Sequence, residues 1–222
     1  MLPRVLEPEV MDSAEEARDY DAMDHVQVNR VFVADFLAFF APRAGDVLLD
    51  VGTGTAQIPI ELCRQNAVAQ VVAVDLAEHM LRVARANVER AGFTGRILLQ
   101  RVDAKGLPAA DGRFAAVFSN SIVHHIPEPA RALAEIVRVT APSGSLFVRD
   151  LLRPDTDAEV KRLVQTYAGD GNAHQQKMFD DSLRAALTLA EIRAMVRALG
   201  FDPGTVRQTT DRHWTWAALK VQ

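Results

Sequence analysis

Val47-Leu48-Leu49-Asp50-Val51-Gly52-Thr53-Gly54-Thr55-Ala56 is the stretch on which the fold turns. An apolar run ends in an acid, two glycines follow, and a helix-like segment occupies residues 56–65. Glycine lets a backbone turn sharply out of a strand and lets a ligand approach it closely. Pro59 must lie in or near the first turn of the helix, because an interior proline would break it. Cys63 is the one cysteine of the chain; it sits in the apolar run 58–63 and reads as core packing.

The same grammar repeats downstream. Residues 70–74 form a second apolar run that also ends in an acid, Asp75. A helix is expected over 77–91, with Met80, Val83, Ala84 and Val88 on one face and Gly92 as its stop. Residues 96–101 and 114–119 read as strands, 129–139 as a helix and 145–150 as a further strand. Strands that alternate with amphipathic helices build βαβ units around a mainly parallel sheet. The first two strands are nearly continuous apolar runs, as strands covered on both faces must be. The expected fold class is α/β: a Rossmann-like, seven-stranded, mostly parallel sheet with helices on both faces. Its one antiparallel strand lies near the C-terminus.

The two ends depart from the alternation. Residues 12–40 read as helical, opening on the capping box Ser13-Ala14-Glu15-Glu16. Val28, Val31, Phe32, Phe36 and Phe39 then form an apolar stripe, with Asp35 out of pattern. Residues 155–187 carry two helices, near 156–167 and 174–186, separated by Gly169-Asp170-Gly171-Asn172. Thr188-Leu189-Ala190-Glu191 is a second capping box, and strands near 204–210 and 213–221 close the chain. One domain is expected over 1–222: an N-terminal helical cap at 1–41, a cofactor-binding core at 42–154, a helical insertion at 155–187, and a C-terminal helix with strands at 188–222. Cap and insertion are expected to form a lid above the strand ends.

The spacing of acids and glycines suggests the ligand. Asp75 follows Gly54 by 21 residues and ends the next strand, where an acid can bind ribose hydroxyls. Gly52, Gly54 and Asp75 alone would also permit an NAD(P)-binding oxidoreductase. Three residues argue otherwise. Asp50 would repel a pyrophosphate but not a sulfonium or an ammonium. Gln57 stands where a dinucleotide fingerprint has its third glycine. Asp103, just past the third strand, is placed to accept a hydrogen bond from an adenine amino group.

These segments resemble the successive motifs of class I S-adenosylmethionine (SAM)-dependent methyltransferases. The resemblance is carried by Asp50 to Thr55, Val74-Asp75-Leu76, Asp103-Ala104 and Ser119-Asn120-Ser121, and covers about residues 45–150. Val148-Arg149-Asp150-Leu151-Leu152-Arg153-Pro154 is similar to the fifth-strand region of the ubiquinone/menaquinone C-methyltransferase-like branch. The resemblance implies SAM as cofactor, with Asp50, Gly52, Thr53 and Gly54 beside its methionine portion. It implies Asp75 on the ribose, Leu76 against adenine, Asp103 and Ala104 at the adenine edge, and Asn120 near the methionine amino group. Ala56 departs from the pattern, because many members carry a glycine there; a position already helical would tolerate it. Asn120-Ser121-Ile122-Val123 is not the Asn/Asp-Pro-Pro-aromatic motif of enzymes that methylate nucleic-acid bases. A binding protein without turnover carries the same motifs, so they do not by themselves establish catalysis.

Methyl transfer needs a base only when the acceptor must lose a proton. His124 and His125 follow the fourth strand on the ligand side and are the candidate bases. Adjacent residues of an extended loop diverge, so one of the two is expected to face the acceptor. No third ligand with recognisable spacing accompanies them, so no metal is expected. Tyr20 and His25, in Tyr20-Asp21-Ala22-Met23-Asp24-His25, and Phe179 in the insertion are the candidate acceptor-binding residues. The polar run Gln175 to Ser182 and the tetrad Asp211-Arg212-His213-Trp214 are either lid contacts or local capping.

Composition sets the outer bounds. The chain has 222 residues, 49% hydrophobic and 24% charged, with a net charge of −4. That balance suits one α/β domain with a full core. No Lys/Arg-rich run appears, which disfavours a nucleic-acid partner. No apolar stretch reaches the length of a membrane span, and the N-terminus lacks the pattern of a signal peptide. The expected setting is a cytoplasmic enzyme acting on a small-molecule methyl acceptor.

Overall fold

The computed structural model describes residues 2–9, 12–23 and 25–221; Asp24 lies outside them. The core strands are β1 (Val47–Val51), β2 (Gln70–Asp75), β3 (Ile97–Arg101), β4 (Phe114–Asn120) and β5 (Thr140–Leu151). The chain closes with β6 (Val206–Gln208) and β7 (His213–Leu219). They form one seven-stranded sheet in the order β3-β2-β1-β4-β5-β7-β6. β1 to β5 pair in parallel, and β7 runs antiparallel to both of its neighbours. β5 begins five residues earlier than the sequence pattern suggests, across an irregular register against β4 between Phe114 and Ala116.

Among the described residues eight α-helices surround the sheet: α1 (Ala14–Ala22), α2 (Val26–Phe39), α3 (Gln57–Gln65), α4 (Glu78–Arg90), α5 (Pro129–Val139), α6 (Asp157–Ala168), α7 (Ala173–Ala185) and α8 (Leu189–Ala198). Side chains alternate across a strand, so neighbours on β1 enter opposite cores. Leu48 packs with Phe32, Phe36 and Ile60 on one face, while Leu49 packs with Leu133, Ile136 and Ile192 on the other. Both expected capping boxes form, Ser13 with Glu16 and Thr188 with Glu191. Cys63 is buried in the core, as its setting implies.

The stripe on α2 lies one residue away from the one expected. Asn29, Phe32, Val33 and Phe36 are buried, whereas Val28, Val31 and Phe39 are exposed. Positions 29, 32, 33 and 36 follow the helical repeat; Val33 fits this face and had no place on the other. Asp35 is explained by a partner rather than by periodicity. It pairs at 2.7 Å with the buried Arg149 of β5, whose guanidinium lies over the rings of Phe32 and Phe147.

α6 and α7 lie at the C-terminal end of β5. Leu151 forms a small core there with Val160, Leu163, Leu183 and Ala186. The polar residues of α7 mostly cap locally: Gln175 completes a capping box with Asn172, and Gln176 donates to the carbonyls of Gly169 and Gly171. Asp211 and Arg212 clasp α6 from below, through the Tyr167 hydroxyl and ring respectively. His213 is buried and pushed down to about 4 by that burial.

The shifted stripe makes a measurable distinction. Phe36→Ala should cost about 3–5 kcal/mol of stability, as deletion of a buried ring does. Val31→Ala should stay within about 0.5 kcal/mol, as exposed substitutions do. Urea titration of both variants checks the assignment.

Candidate active site

The turn after β1 builds one wall of a cleft. The amides of Gly52 and Thr53 both donate to the carbonyl of Val74, at 2.8 and 2.9 Å. Gly52 and Gly54 take left-handed φ values of 78° and 54°. A Cβ on Gly52 would stand 2.0 Å from the Ile122 side chain, so the position requires glycine for space as well as for conformation. Ala56 is also left-handed, at φ 62°, and caps α3. The sequence reading excused this alanine as already helical. It is instead a non-glycine residue in a region that costs about 1–2 kcal/mol, with its methyl group fully buried as partial compensation.

The cleft opens at the C-terminal ends of β1, β2 and β4, as expected for an open α/β sheet. Its cavity volume is about 120 Å³. Of the residues singled out from sequence, Tyr20, Gly52, Gly54, Asp75, Leu76, Asp103, Ala104, Asn120 and His125 line it. Asp50 and Thr53 lie buried behind the turn rather than on the lining. His25 sits behind Tyr20, with ring centroids 5.0 Å apart. Phe179 does not reach the cleft; it packs on the Leu151 core, because the inner face of α7 serves that core.

Negative charge dominates the lining. Asp75 accepts from the amides of Gly54 and Ala77 at 2.7 and 2.9 Å. Burial pushes its carboxyl up, against those two hydrogen bonds. A carboxylate has about four acceptor positions, so it retains capacity for ligand hydroxyls. Asp50 is pushed up to about 7 by burial; the adjacent Thr53 side chain opposes the rise and the charge of Asp75 adds to it. Its Oδ2 and the Thr53 hydroxyl are buried without hydrogen-bond partners. Tyr20 is pushed up to about 12 by burial, with Asp75 and Asp50 adding to it. Asp103 binds Lys105 at 3.0 Å, and Lys105 also pairs with Glu9, so the N-terminal segment closes over this edge.

The two histidines do not diverge. The loop forms a turn, and their rings lie 4.2 Å apart at 34°. Of the two, only His125 lines the cleft. His124 is buried, with Nδ1 2.5 Å from Asp150 Oδ1. Burial alone would depress this imidazole; the charge and hydrogen bond of Asp150, together with the charge of Glu7, outweigh it and raise the pKa. Sequence reasoning missed Glu7, whose Oε1 stands 3.0 Å from His125 Nδ1 and 3.5 Å from His124 Nε2. Arg4 fixes this strap by donating to the carbonyls of Ala185, His124 and Ile126. No local pattern marks residues 4–9, since each contact crosses 96 positions of chain or more.

A glycine turn, an acid at the end of β2 with acceptor positions to spare and a carboxylate behind the turn together suit a cationic nucleoside cofactor. An orphaned buried carboxylate oxygen at Asp50 fits a sulfonium- and ammonium-bearing ligand and would disfavour a pyrophosphate.

Comparisons with known proteins agree. Residues 49–148 match the family model described as a methyltransferase domain. The chain is 30% identical to 27-O-demethylrifamycin SV methyltransferase from Amycolatopsis mediterranei, across 86% of this chain and 68% of that one. It is 29% identical to the ubiquinone/menaquinone biosynthesis C-methyltransferase of Roseobacter denitrificans, across 86% and 81% respectively. A SAM-dependent methyltransferase structure from Aquifex aeolicus shares the fold, with a TM-score of 0.70 at 19% identity, covering 94% of this chain and 99% of that one. The chain belongs to the class I SAM-dependent methyltransferases, in the ubiquinone/menaquinone C-methyltransferase-like branch, and uses SAM as its cofactor. Among the described residues no helix is long and apolar enough to cross a membrane.

The raised Asp50 gives a pH-dependent expectation. A carboxyl whose folded pKa exceeds its unfolded value costs stability as pH rises from about 4 to about 7. Asp50→Asn should therefore raise the melting temperature of the cofactor-free protein at pH 8 and change it little at pH 4. Thermal denaturation at the two pH values checks the sign.

Proposed function

We propose that this enzyme transfers the SAM methyl group to a hydroxylated aromatic or quinone-like small molecule, with His125 as the base. One observation carries the reading. His125 lines the cleft, and its buried Nδ1 faces the Glu7 carboxylate at 3.0 Å. A proton held on Nδ1 toward Glu7 leaves Nε2, the other edge of the ring, to accept one from the acceptor. Loss of an acceptor hydroxyl proton gives an oxyanion that attacks through oxygen or through a conjugated ring carbon. The relatives above are named for an O-demethylrifamycin and for quinone biosynthesis, and one base serves both kinds of attack.

SAM supplies an electrophilic methyl group for in-line displacement. The chain's own groups bind, orient and exclude water. In this reading Asp75 takes the ribose hydroxyls, Leu76 packs on adenine, and Asp103 and Ala104 hold its edge. The Asn120 backbone, Gly52, Gly54 and Thr53 border the methionine portion, and Asp50 balances its positive charge from behind. Tyr20, braced by His25, forms the acceptor wall. His124 is a positioning residue, locked by Asp150 under the ring of His125. We read residues 1–222 as one methyltransferase domain, acting in the cytoplasm without a nucleic-acid partner. The lone buried thiol and the acidic cleft support that setting.

Asp75→Ala should weaken SAM and S-adenosylhomocysteine alike, by about 1.5–3 kcal/mol for each ribose hydrogen bond lost. Calorimetry on the folded variant tests this. His125→Ala should lower turnover about a hundredfold or more while SAM affinity changes little. The assay follows isotopically labelled methyl from SAM into a panel of phenolic and quinol acceptors by mass spectrometry. Wild-type turnover in His125→Ala would remove the base and leave positioning alone.

A further inference from the structure

The Glu7 contacts hold more than an orientation for His125. Glu7 Oε1, His124 Nε2 and His125 Nδ1 all lie within 4.8 Å of one another, although Glu7 is far in sequence from the two adjacent histidines. Glu7 Oε1 and His125 Nδ1 are both buried, and neither makes an aligned hydrogen bond despite their 3.0 Å approach. Three potential ligand atoms therefore lie together, two of them buried without an aligned hydrogen bond. Tetrahedral coordination at zinc–ligand distances near 2.0–2.2 Å puts ligand atoms about 3.3–3.6 Å apart. The observed 3.5 Å falls within that range and the 3.0 Å lies just short of it.

The surroundings suit a metal. The Nδ1 of His124 is bound to Asp150 at 2.5 Å, which keeps Nε2 as the free donor. A carboxylate behind a histidine is the usual outer partner of a metal-bound imidazole. Asp150 is fixed in turn by the amides of Val123 and Leu151. Two imidazoles with a single carboxylate favour a zinc-class transition ion over magnesium or calcium, which take mostly oxygen ligands.

We propose that Glu7, His124 and His125 form a binding site for a zinc-class divalent cation, and that its occupancy switches off the base. The second half rests on the proposed role of His125. A metal on Nδ1 leaves the ring's remaining proton on Nε2, so that nitrogen can no longer accept one from the acceptor. The Glu7 strap thus chooses between two states of one histidine: free base or metal ligand.

The test uses the full chain stripped with a chelator and then titrated with zinc against a chromophoric chelator. One zinc per chain is expected, with binding at least tenfold weaker in Glu7→Gln and in His125→Gln. SAM binding reports whether each variant is folded. Cobalt(II) in place of zinc should give a visible absorption band that Glu7→Gln alters. Stoichiometric zinc should inhibit turnover, and chelator should restore it. Absence of binding at micromolar zinc, or binding unchanged in both variants, overturns the site. Binding without inhibition overturns the switch alone. The base is judged separately, on His125→Ala in chelator-treated protein, so either reading can fail without the other.

Discussion

Two backbone amides, those of Gly52 and Thr53, share the carbonyl of Val74, and the cleft depends on that junction. It ties the end of β1 to the end of β2, so that Asp50 and Asp75 are held on either side of one turn. Asp75 then accepts the Gly54 amide, which sets the second left-handed residue. Ile122 packs where a Gly52 side chain would be, so the loop that carries both histidines is seated on the same turn. Cofactor side and acceptor side are thereby positioned by one short segment of chain.

The electrostatic design follows from burial. Asp50 and Asp75 lie close together in a poorly solvated site, and the protein alone does little to neutralise them. Asp50 responds by holding its proton to about pH 7. A cationic ligand removes that conflict, so stability sacrificed in the free protein is recovered on binding. Across the cleft the opposite solution is used: Asp150 and Glu7 face His124, and the two acids and this imidazole favour each other's charged forms.

The core of the fold was legible because its signals are local. Strands β1 and β2 end in acids after apolar runs, and the capping residues Ser13 and Thr188 mark helix starts directly. The glycine turn and Asp75 likewise disclosed most of the cofactor wall. The α2 stripe was misplaced by one position because apolar residues stand on both candidate faces, and only Arg149 explains Asp35. The left-handed Ala56 was unreadable, since alanine carries no signal for such a conformation. Phe179 looked like a lid residue because the small core centred on Leu151 is assembled from three separate segments. Glu7, Glu9 and Arg4 gave no sign at all, because their roles exist only once the N-terminal segment has crossed the finished fold.

A cleft suited to a cationic nucleoside should discriminate against a dinucleotide. Side-by-side calorimetry of S-adenosylhomocysteine and NAD on the intact chain tests this most directly. Saturable, one-to-one binding of S-adenosylhomocysteine and no measurable heat with NAD are expected. Binding of NAD as tight as, or tighter than, that of S-adenosylhomocysteine would contradict this.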